Sequence, residues 1–368
     1  MRSLAVDSAY PAYGESGWYP TQAPAMRRAF ALACRRSAAC RNGGPQFLPS
    51  LRRVLREVRA DPWRGVSYDA DGRRMRVRVD GPNLTTLAFG ATYTPAFYRE
   101  MTAALRSGLR DDRVPLLRLV AEATGGSSDA GAPRYYSEGL DAAVACHDYP
   151  QVYDMTVELG RVRERQYAAA LTRRTRSRPG TYGPFTVREY AASDWQALDW
   201  CTRWPTAPPT NPAGPVRPPG GQYPRLPVLV LSGELDSITT AAEGAMVAAQ
   251  FPNSVLVVVR NSFHVTAIGD TDACAVRILR AFVRDSRVEP TGQRRACARQ
   301  IEPIRSPGVF AVRVADVEAA RSPGDRLRVR RIGPAYRSGD RGRPVGPVVE
   351  QLLRPRRRPP RRAVDVLG

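Results

Sequence analysis

Uninterrupted apolar runs alternate with amphipathic segments in the most regular part of the sequence. Val228–Leu231 and Ser254–Val259 are apolar at almost every position, which is typical of buried strands in a parallel sheet. The Ala-rich segment Thr240–Gln250 and the amphipathic segment Asp272–Arg284, capped by its first residue, are predicted to be helices. Strand, loop and helix in this repeated order predict an α/β unit whose functional loops lie at the carboxyl ends of the strands.

The first part of the chain shows mostly helical periodicity. Leu4–Asp7 has the pattern of one more buried strand, and Gly65–Tyr68 with Met75–Val79 predict a hairpin around the turn Asp69–Gly72. Residues 205–224 contain eight prolines, which argues against helix or sheet and predicts an irregular return to the sheet. A mostly helical insert between strands of one sheet is typical of a lid. The predicted helices are Ala25–Ser37, Leu48–Ala60, Pro95–Ser107, Arg113–Ala123 and Val157–Leu171.

Arginine supplies every basic side-chain charge, because the 56 Lys+Arg residues include no lysine. Against 35 acidic residues the net charge is +21, and 43% of the sequence is hydrophobic, which is ordinary for a globular protein with a core. Residues 321–368 hold 14 arginines and 4 acidic residues, a composition that predicts a basic, disordered tail. The tail could attract phosphates, but no stacking aromatics or nucleic-acid motif accompany it, so nucleic acid is not a predicted partner.

The sequence gives no indication of a metal, a cofactor or a membrane-spanning helix. It contains two histidines and no C-x-x-C pair, so neither a zinc site nor another cofactor is predicted. No apolar run approaches the roughly 20 residues that a spanning helix needs. Residues 1–10 do not have the form of a secretory signal, since Asp7 ends a very short apolar stretch. The oligomeric state stays open.

Two side chains at successive strand ends are candidates for catalysis. Asp236 lies in the loop after the first strand, and His264 lies in the loop after the second strand, 28 residues later. A carboxylate and an imidazole placed in this way can meet at one edge of a sheet. The carboxylate then fixes the imidazole tautomer, so that the ring can accept a proton from a serine hydroxyl. The chain order, Asp before His, is that of an α/β-hydrolase, whose serine precedes both.

The two loops belong to a longer stretch that resembles a known family. PVLVLSGELDSITTAAEGAMVAAQF, followed by NSVLVVVRNSFHVTAIGD, is similar to the C-terminal segment of tripeptidyl-aminopeptidase-like α/β-hydrolases, a serine peptidase group related to proline iminopeptidases. Gly233–Asp236 resembles the family's acid loop, and Asn261–His264 resembles its histidine loop. The likeness covers about residues 1–305 and includes Val6–Pro11, Gly14–Pro20, Cys146–Pro150 and Asp199–Pro205.

The resemblance implies a partial α/β-hydrolase fold with a large, mostly helical lid insertion. It also implies a serine peptidase that cleaves short peptides from the amino end, in which Asp236 orients His264 as the general base. Glu234 is a second candidate for the acid. Asp148 is a candidate for binding the substrate's free amino terminus, or else a cap or salt-bridge partner. His147 is expected to be a packed residue of the lid.

The sequence departs from this family at the nucleophile. The G-x-S-x-G elbow that carries the serine does not occur in the 368 residues. We therefore expect the chain to begin just downstream of its nucleophile and to be inactive by itself. The alternative is a non-catalytic protein that binds peptides or completes the sheet of another chain.

The six cysteines point to an oxidising compartment. Fifteen pairings are possible, and the preferred one is Cys34–Cys40, Cys146–Cys201 and Cys274–Cys297. Members of the family are secreted or belong to the cell envelope. Because the chain as given has no signal peptide, it would stay in the cytoplasm if expressed in this form.

Four segments follow from these observations. Residues 1–10 are a sheet strand that follows the missing nucleophile segment, and residues 11–220 are the helical lid. Residues 221–305 are the C-terminal α/β-hydrolase segment. Residues 306–368 are predicted to be a basic tail that is either disordered or translated from a shifted reading frame.

Overall fold

A computed structural model of the chain describes residues 1–12, 16–125, 137–195, 199–215, 223–269, 273–287 and 296–313. The chain divides into two units, residues 1–316 and 317–368. All described residues belong to the first unit, and the predicted basic tail at 321–368 lies outside them.

A three-stranded parallel sheet joins the start of the chain to its C-terminal part. The central strand is β4 (Val228–Gly233), with β1 (Leu4–Asp7) on one side and β5 (Ser254–Val259) on the other. Every residue of β4 is buried, whereas β1 and β5 are only partly buried. This arrangement confirms the predicted α/β class and places the three predicted strands in one parallel sheet.

Helices make up about half of the described residues, in this order along the chain: α1 (Gln22–Arg36), α2 (Ala38–Asn42), α3 (Phe47–Ala60), α4 (Gly81–Gly90), α5 (Pro95–Gly108), α6 (Val114–Thr124), α7 (Glu138–Ala143), a π-helix (Val144–Asp148), α8 (Gly160–Ser177), α9 (Val187–Ala191), a 3₁₀ turn (Trp200–Arg203), α10 (Ala241–Ala249), α11 (Thr266–Gly269), α12 (Cys274–Asp285) and a 3₁₀ turn (Cys297–Arg299). An antiparallel hairpin of β2 (Trp63–Tyr68) and β3 (Arg74–Val79) lies between α3 and α4.

Alternate residues of β4 pack on opposite faces of the sheet, because side chains alternate along a strand. Leu231 packs with Phe282 of α12 on one face. Val230 packs with Val247 of α10 on the other face. The sheet is therefore covered on both faces, which explains the uninterrupted apolar run of β4.

The largest apolar core lies among α1, α3, α4, α5, α6 and the hairpin. Phe30 stacks on Phe47 with ring centroids 3.9 Å apart, and Tyr98 lies 4.7 Å from Phe30. Burial raises the pKa of Tyr98, so its hydroxyl is a donor, and it donates to the Leu235 carbonyl at 2.9 Å. The helical core thus holds the loop that follows β4.

Three local predictions need correction or completion. The helix predicted at 157–171 begins at Gly160 and continues to Ser177, because arginine and threonine extend it beyond the last apolar position. The proposed cap Asp272 lies outside the described residues, and Ala273 occupies the N-cap position of α12 without a side-chain cap. The sequence does not predict α4, because this helix is buried on nearly all sides, threonines included, and so has no amphipathic period to detect.

Three disulfides cross-link the unit, with the pairing that the sequence favoured. Cys34–Cys40 joins α1 to α2, and Cys146–Cys201 joins the π-helix to the 3₁₀ turn at 200–203. Cys274–Cys297 joins the start of α12 to the 3₁₀ turn at 297–299. All six cysteines are used.

An ion pair joins α1 to the loops after β4 and β5. Arg36 donates to both carboxylate oxygens of Glu234, at 2.5 and 2.9 Å, and to Asn261 Oδ1 at 2.5 Å. Glu234 also accepts the backbone N–H of Asn261 at 3.1 Å. Burial raises the pKa of Glu234, but the hydrogen bonds from Arg36 and the Asn261 N–H, together with the nearby arginine charges, lower it by more, so the pKa of Glu234 is lowered overall.

We predict that the disulfides rank in stabilising effect by the length of chain they close. The sequence separations are 55 for Cys146–Cys201, 23 for Cys274–Cys297 and 6 for Cys34–Cys40. Loop-closure entropy gives about 4, 3 and 2 kcal/mol respectively. Urea unfolding of the three paired Cys→Ala variants measures this order, and equal losses would contradict it.

We predict that Glu234→Gln destabilises the protein at pH 7 by about 1–3 kcal/mol, because Arg36 is left without its charged acceptor. A lowered pKa in the folded state means that this stabilisation is present above the ordinary glutamate value of 4.5 and is lost as pH falls below it. The difference between Glu234→Gln and wild type in urea unfolding should therefore shrink from pH 7 to pH 3. Glu57→Gln is the matched control, since Glu57 is exposed and 3.9 Å from Arg53, and it should have little effect at either pH. A difference for Glu234→Gln that is independent of pH would contradict the account.

Candidate active site

Asp236 lies in the loop that follows β4, and its side chain is fully buried. Its Oδ1 accepts the backbone N–H groups of Ile238 at 3.0 Å and Thr239 at 3.1 Å. The hydroxyl of Thr92, at the end of α4, donates to the same oxygen at 3.3 Å. These donors fix the carboxylate plane and leave Oδ2 directed at the loop after β5.

His264 lies in that second loop, and the structure brings its ring to Asp236. Nδ1 of His264 is 3.0 Å from Asp236 Oδ2, across 28 residues of sequence. The side chain is 13% exposed, so the contact is sheltered from water. The backbone N–H of His264 donates to the Thr92 carbonyl at 3.4 Å, which gives Thr92 a contact with both loops.

Thr239 is a third member of this cluster. Its hydroxyl donates to Asp236 Oδ2 at 2.8 Å and lies 2.9 Å from His264 Nδ1. A hydroxyl has one hydrogen and two lone pairs, so it can give its hydrogen to the carboxylate while it accepts from a protonated Nδ1. The Nδ1 hydrogen of His264 is then shared between two acceptors, which holds the ring in one orientation.

His264 also lines a cavity. No described residue forms a hydrogen bond with Nε2, and the ring lines a cavity of about 680 Å³. The ring of Tyr93 packs against the imidazole at 4.9 Å in a T-shaped geometry, and Trp195 lies 5.8 Å from Tyr93. An imidazole anchored at Nδ1 by a carboxylate, with Nε2 open to a cavity, can accept a proton from a bound group.

Carboxylates and aromatic rings line the cavity around His264. The carboxylates are Asp141, Asp148 and Asp194, and the aromatic side chains are Tyr10, Tyr19, Tyr93, Tyr149, Trp195 and Trp200. The cavity therefore carries negative charge among π faces, both of which attract cations.

Asp148 lies in this lining, as a partner of His147. Oδ1 of Asp148 is 2.6 Å from His147 Nδ1, and His147 Nε2 is 3.2 Å from the Asn211 carbonyl. The hydrogen bond with Asp148 raises the pKa of His147. The two residues lie on the π-helix, a rare element that is frequent at functional sites.

Glu234 does not take the place of the acid. Its carboxylate is committed to Arg36 and to the Asn261 backbone, as described above. None of its hydrogen bonds reaches His264, whereas Asp236 contacts the ring directly.

Sequence reasoning missed several residues of the site. Thr92 and Tyr93 come from the connection between α4 and α5, far from either loop in sequence, and carry no motif. Thr239 is three residues after Asp236 and could have been suspected as a local hydroxyl donor.

The T-x-x-E patterns at 186–189 and 240–243 form capping boxes at the starts of α9 and α10. This pattern is recognisable in the sequence.

The part of the chain that the structure describes also bears on metal binding and on membrane crossing. It contains no group of three or more His, Cys, Asp or Glu side chains that could hold a metal ion. Within the same residues, no helix has the length and apolarity to cross a membrane.

Comparison with known proteins bears on residues 188–295. This segment, which contains both Asp236 and His264, matches the family model of TAP-like proteins, Abhydrolase_4. No curated protein matches the chain. Among solved structures, the protein named non-heme bromoperoxidase BpoC, from Mycobacterium tuberculosis H37Rv, shares 15% identity over 77% of this chain and 92% of its own chain. The TM-score of 0.18 is too low for that likeness to carry an argument. The family match agrees with the resemblance that the sequence motifs predicted: residues 188–295 are similar to TAP-like proteins.

Proposed function

We propose that this chain supplies the acid and the base of a serine hydrolase. The observation that carries the proposal is the 3.0 Å contact between His264 Nδ1 and Asp236 Oδ2, with Nε2 open to the cavity. Nε2 would accept the proton of a serine hydroxyl as that oxygen attacks a carbonyl carbon. The imidazolium, stabilised by Asp236, would then return the proton to the leaving amine.

The serine itself is not assigned to a residue of this chain. Ser8 lines the cavity, but its hydroxyl accepts the Val265 N–H at 2.8 Å and donates to Asp7 Oδ1 at 3.3 Å. Since G-x-S-x-G is absent from residues 1–368, we propose that these residues alone do not form an acyl-serine. Loss of the nucleophile removes most of the rate but need not remove substrate binding.

The proposed substrate is a short peptide with a free amino terminus. The charge of an α-ammonium suits a cavity that contains three carboxylates, and Asp148 is the group that we assign to it. The aromatic lining suits apolar side chains of the peptide, and about 680 Å³ lies within the range of small-molecule sites. His147 would release Asp148 from its present hydrogen bond when the ammonium binds.

A second candidate function is peptide binding in the same cavity, without a catalysed reaction. The absence of G-x-S-x-G favours a protein that binds peptides and does not cleave them. The three disulfides favour an oxidising compartment for either function, as expected for a secreted or cell-envelope protein.

We predict that neutral His264 carries its proton on Nδ1, because Asp236 can accept from Nδ1 and nothing described competes for Nε2. Nitrogen-15 NMR of the imidazoles measures this, and His147→Asn assigns the signals because the chain has two histidines. In Asp236→Asn the side-chain amide would donate to Nδ1, so the proton should move to Nε2. A wild-type His264 that is protonated on Nε2 would exclude it as the base.

We also predict that Asp148→Asn weakens binding of an unblocked apolar tripeptide by about tenfold or more, which corresponds to about 1.4 kcal/mol. Binding of the N-acetylated tripeptide should be unchanged, because it has no ammonium. Isothermal titration calorimetry at pH 7 measures both. Asp61→Asn is the control, since Asp61 is 88% exposed and does not line the cavity. Equal losses for the blocked and unblocked peptides would remove the amino-terminal role of Asp148.

A further inference from the structure

The residue after His264 has a strained backbone. Val265 has φ of +55°, a left-handed conformation that is a genuine outlier for a β-branched residue. Such a conformation is energetically unfavourable and persists only where the surroundings enforce it. Val265 directly follows His264, so its backbone angle sets the direction in which the chain leaves the histidine loop.

The enforcing contacts come from the end of β1. The N–H of Val265 donates to Ser8 Oγ at 2.8 Å. The next two N–H groups, of Thr266 and Ala267, donate to Asp7 Oδ1 at 3.2 Å and Oδ2 at 2.7 Å. Two adjacent side chains thus hold three consecutive backbone donors directly after His264.

The sheet fixes the position of Asp7 and Ser8. Asp7 pairs with Leu231 of β4, and the Ser8 N–H donates to the Leu231 carbonyl at 2.9 Å. β4 also leads into the loop that carries Asp236. The same strand therefore positions Asp236, which contacts the His264 ring, and Asp7 and Ser8, which contact the backbone after His264. Ser8 itself has φ of +54°, so the turn that aims its hydroxyl is strained as well.

The charge of Asp7 is held close to Asp236. Burial raises the pKa of Asp7, the N–H groups of Ala267 and Thr266 lower it, and the nearby Asp236 carboxylate raises it further. Placing a second carboxylate beside a buried one is unfavourable. The hydrogen bonds from the Thr266 and Ala267 N–H groups to Asp7 offset this unfavourable interaction.

We propose that Asp7 and Ser8 are positioning residues for His264, because they hold Val265 in its left-handed conformation and so keep Nδ1 on Asp236. This inference rests on the proposed role of His264 as the base. Neither residue needs to touch the substrate. Their effect acts through the backbone at 265–267.

The test follows the exchange of the His264 Nδ1 hydrogen with water by NMR. Ser8→Ala and Asp7→Asn should each raise the exchange rate at least tenfold, because the ring leaves its acceptor more often. Leu4→Ala, which loosens β1 without touching these contacts, should change the rate less than threefold. Unchanged exchange in folded Ser8→Ala and Asp7→Asn would overturn the proposal.

A second substitution tests the strain directly. Asn adopts the left-handed conformation far more readily than Val does, so Val265→Asn should restore slow exchange to Ser8→Ala. Val265→Thr keeps the β-branch and should not restore it. If the single variants do not fold, the Ser8→Ala, Val265→Asn double variant must still fold and show the protected Nδ1 hydrogen, and its failure would also overturn the proposal.

The outcomes separate this inference from the proposed function. A wild-type His264 protonated on Nε2 would remove the base and, with it, the reason to position the ring. If wild-type His264 is protonated on Nδ1 and the exchange rate of that hydrogen is unchanged in Asp7→Asn and Ser8→Ala, the role of His264 as the base stands. Only the positioning role of Asp7 and Ser8 is then overturned.

Discussion

The hydrogen bond between Asp236 Oδ2 and His264 Nδ1 is the contact on which the functional account depends. Both side chains stand at carboxyl ends of parallel strands that are immediate neighbours in the sheet. The bond is buried, so water does not compete for it. A buried carboxylate also needs its donors, since an unpaired one would be strongly unfavourable. The imidazole, the two N–H groups and the hydroxyls around Asp236 meet that need together.

The rest of the described unit restrains the two loops that form this bond. Arg36 and Glu234 tie them to α1, Tyr98 ties the acid loop to the helical core, and Thr92 contacts both loops. The end of β1 restrains the histidine loop from the other side. A site that is held by separate elements in this way can keep an imidazole in one orientation without the help of a substrate.

Much of the sheet region could be predicted from sequence, and the reason is local. β4 is buried at every position and begins with four apolar residues, because both faces of the sheet are covered. The meeting of Asp236 and His264 follows from the parallel topology, which the strand–helix alternation indicates. Thr92 and Tyr93 could not be predicted, because they reach the site through a tertiary contact across about 140 residues. Asp7 and Ser8 look like an ordinary strand end in sequence, and their role depends on a backbone angle that no motif records.

The family match over residues 188–295 and the contact between Asp236 and His264 both support the proposed hydrolase function. The proposed peptide specificity rests on the cavity lining. Carboxylates and aromatic rings in one cavity suit a cationic ligand with apolar groups. In the proposed function, the hydrogen bond between Asp148 and His147 is exchanged for one between Asp148 and the ligand's ammonium group. Specificity at this end of the cavity would therefore come from exchange of one charged partner for another.

A double-mutant cycle between Asp236 and His264 tests the central claim most directly. Unfolding free energies of wild type, Asp236→Ala, His264→Ala and the double variant give the coupling energy of the pair. The account predicts a coupling of about 1–3 kcal/mol, as for residues in one buried network. Losses that add to within about 0.3 kcal/mol would show two independent side chains and would contradict the assignment of an acid and its base.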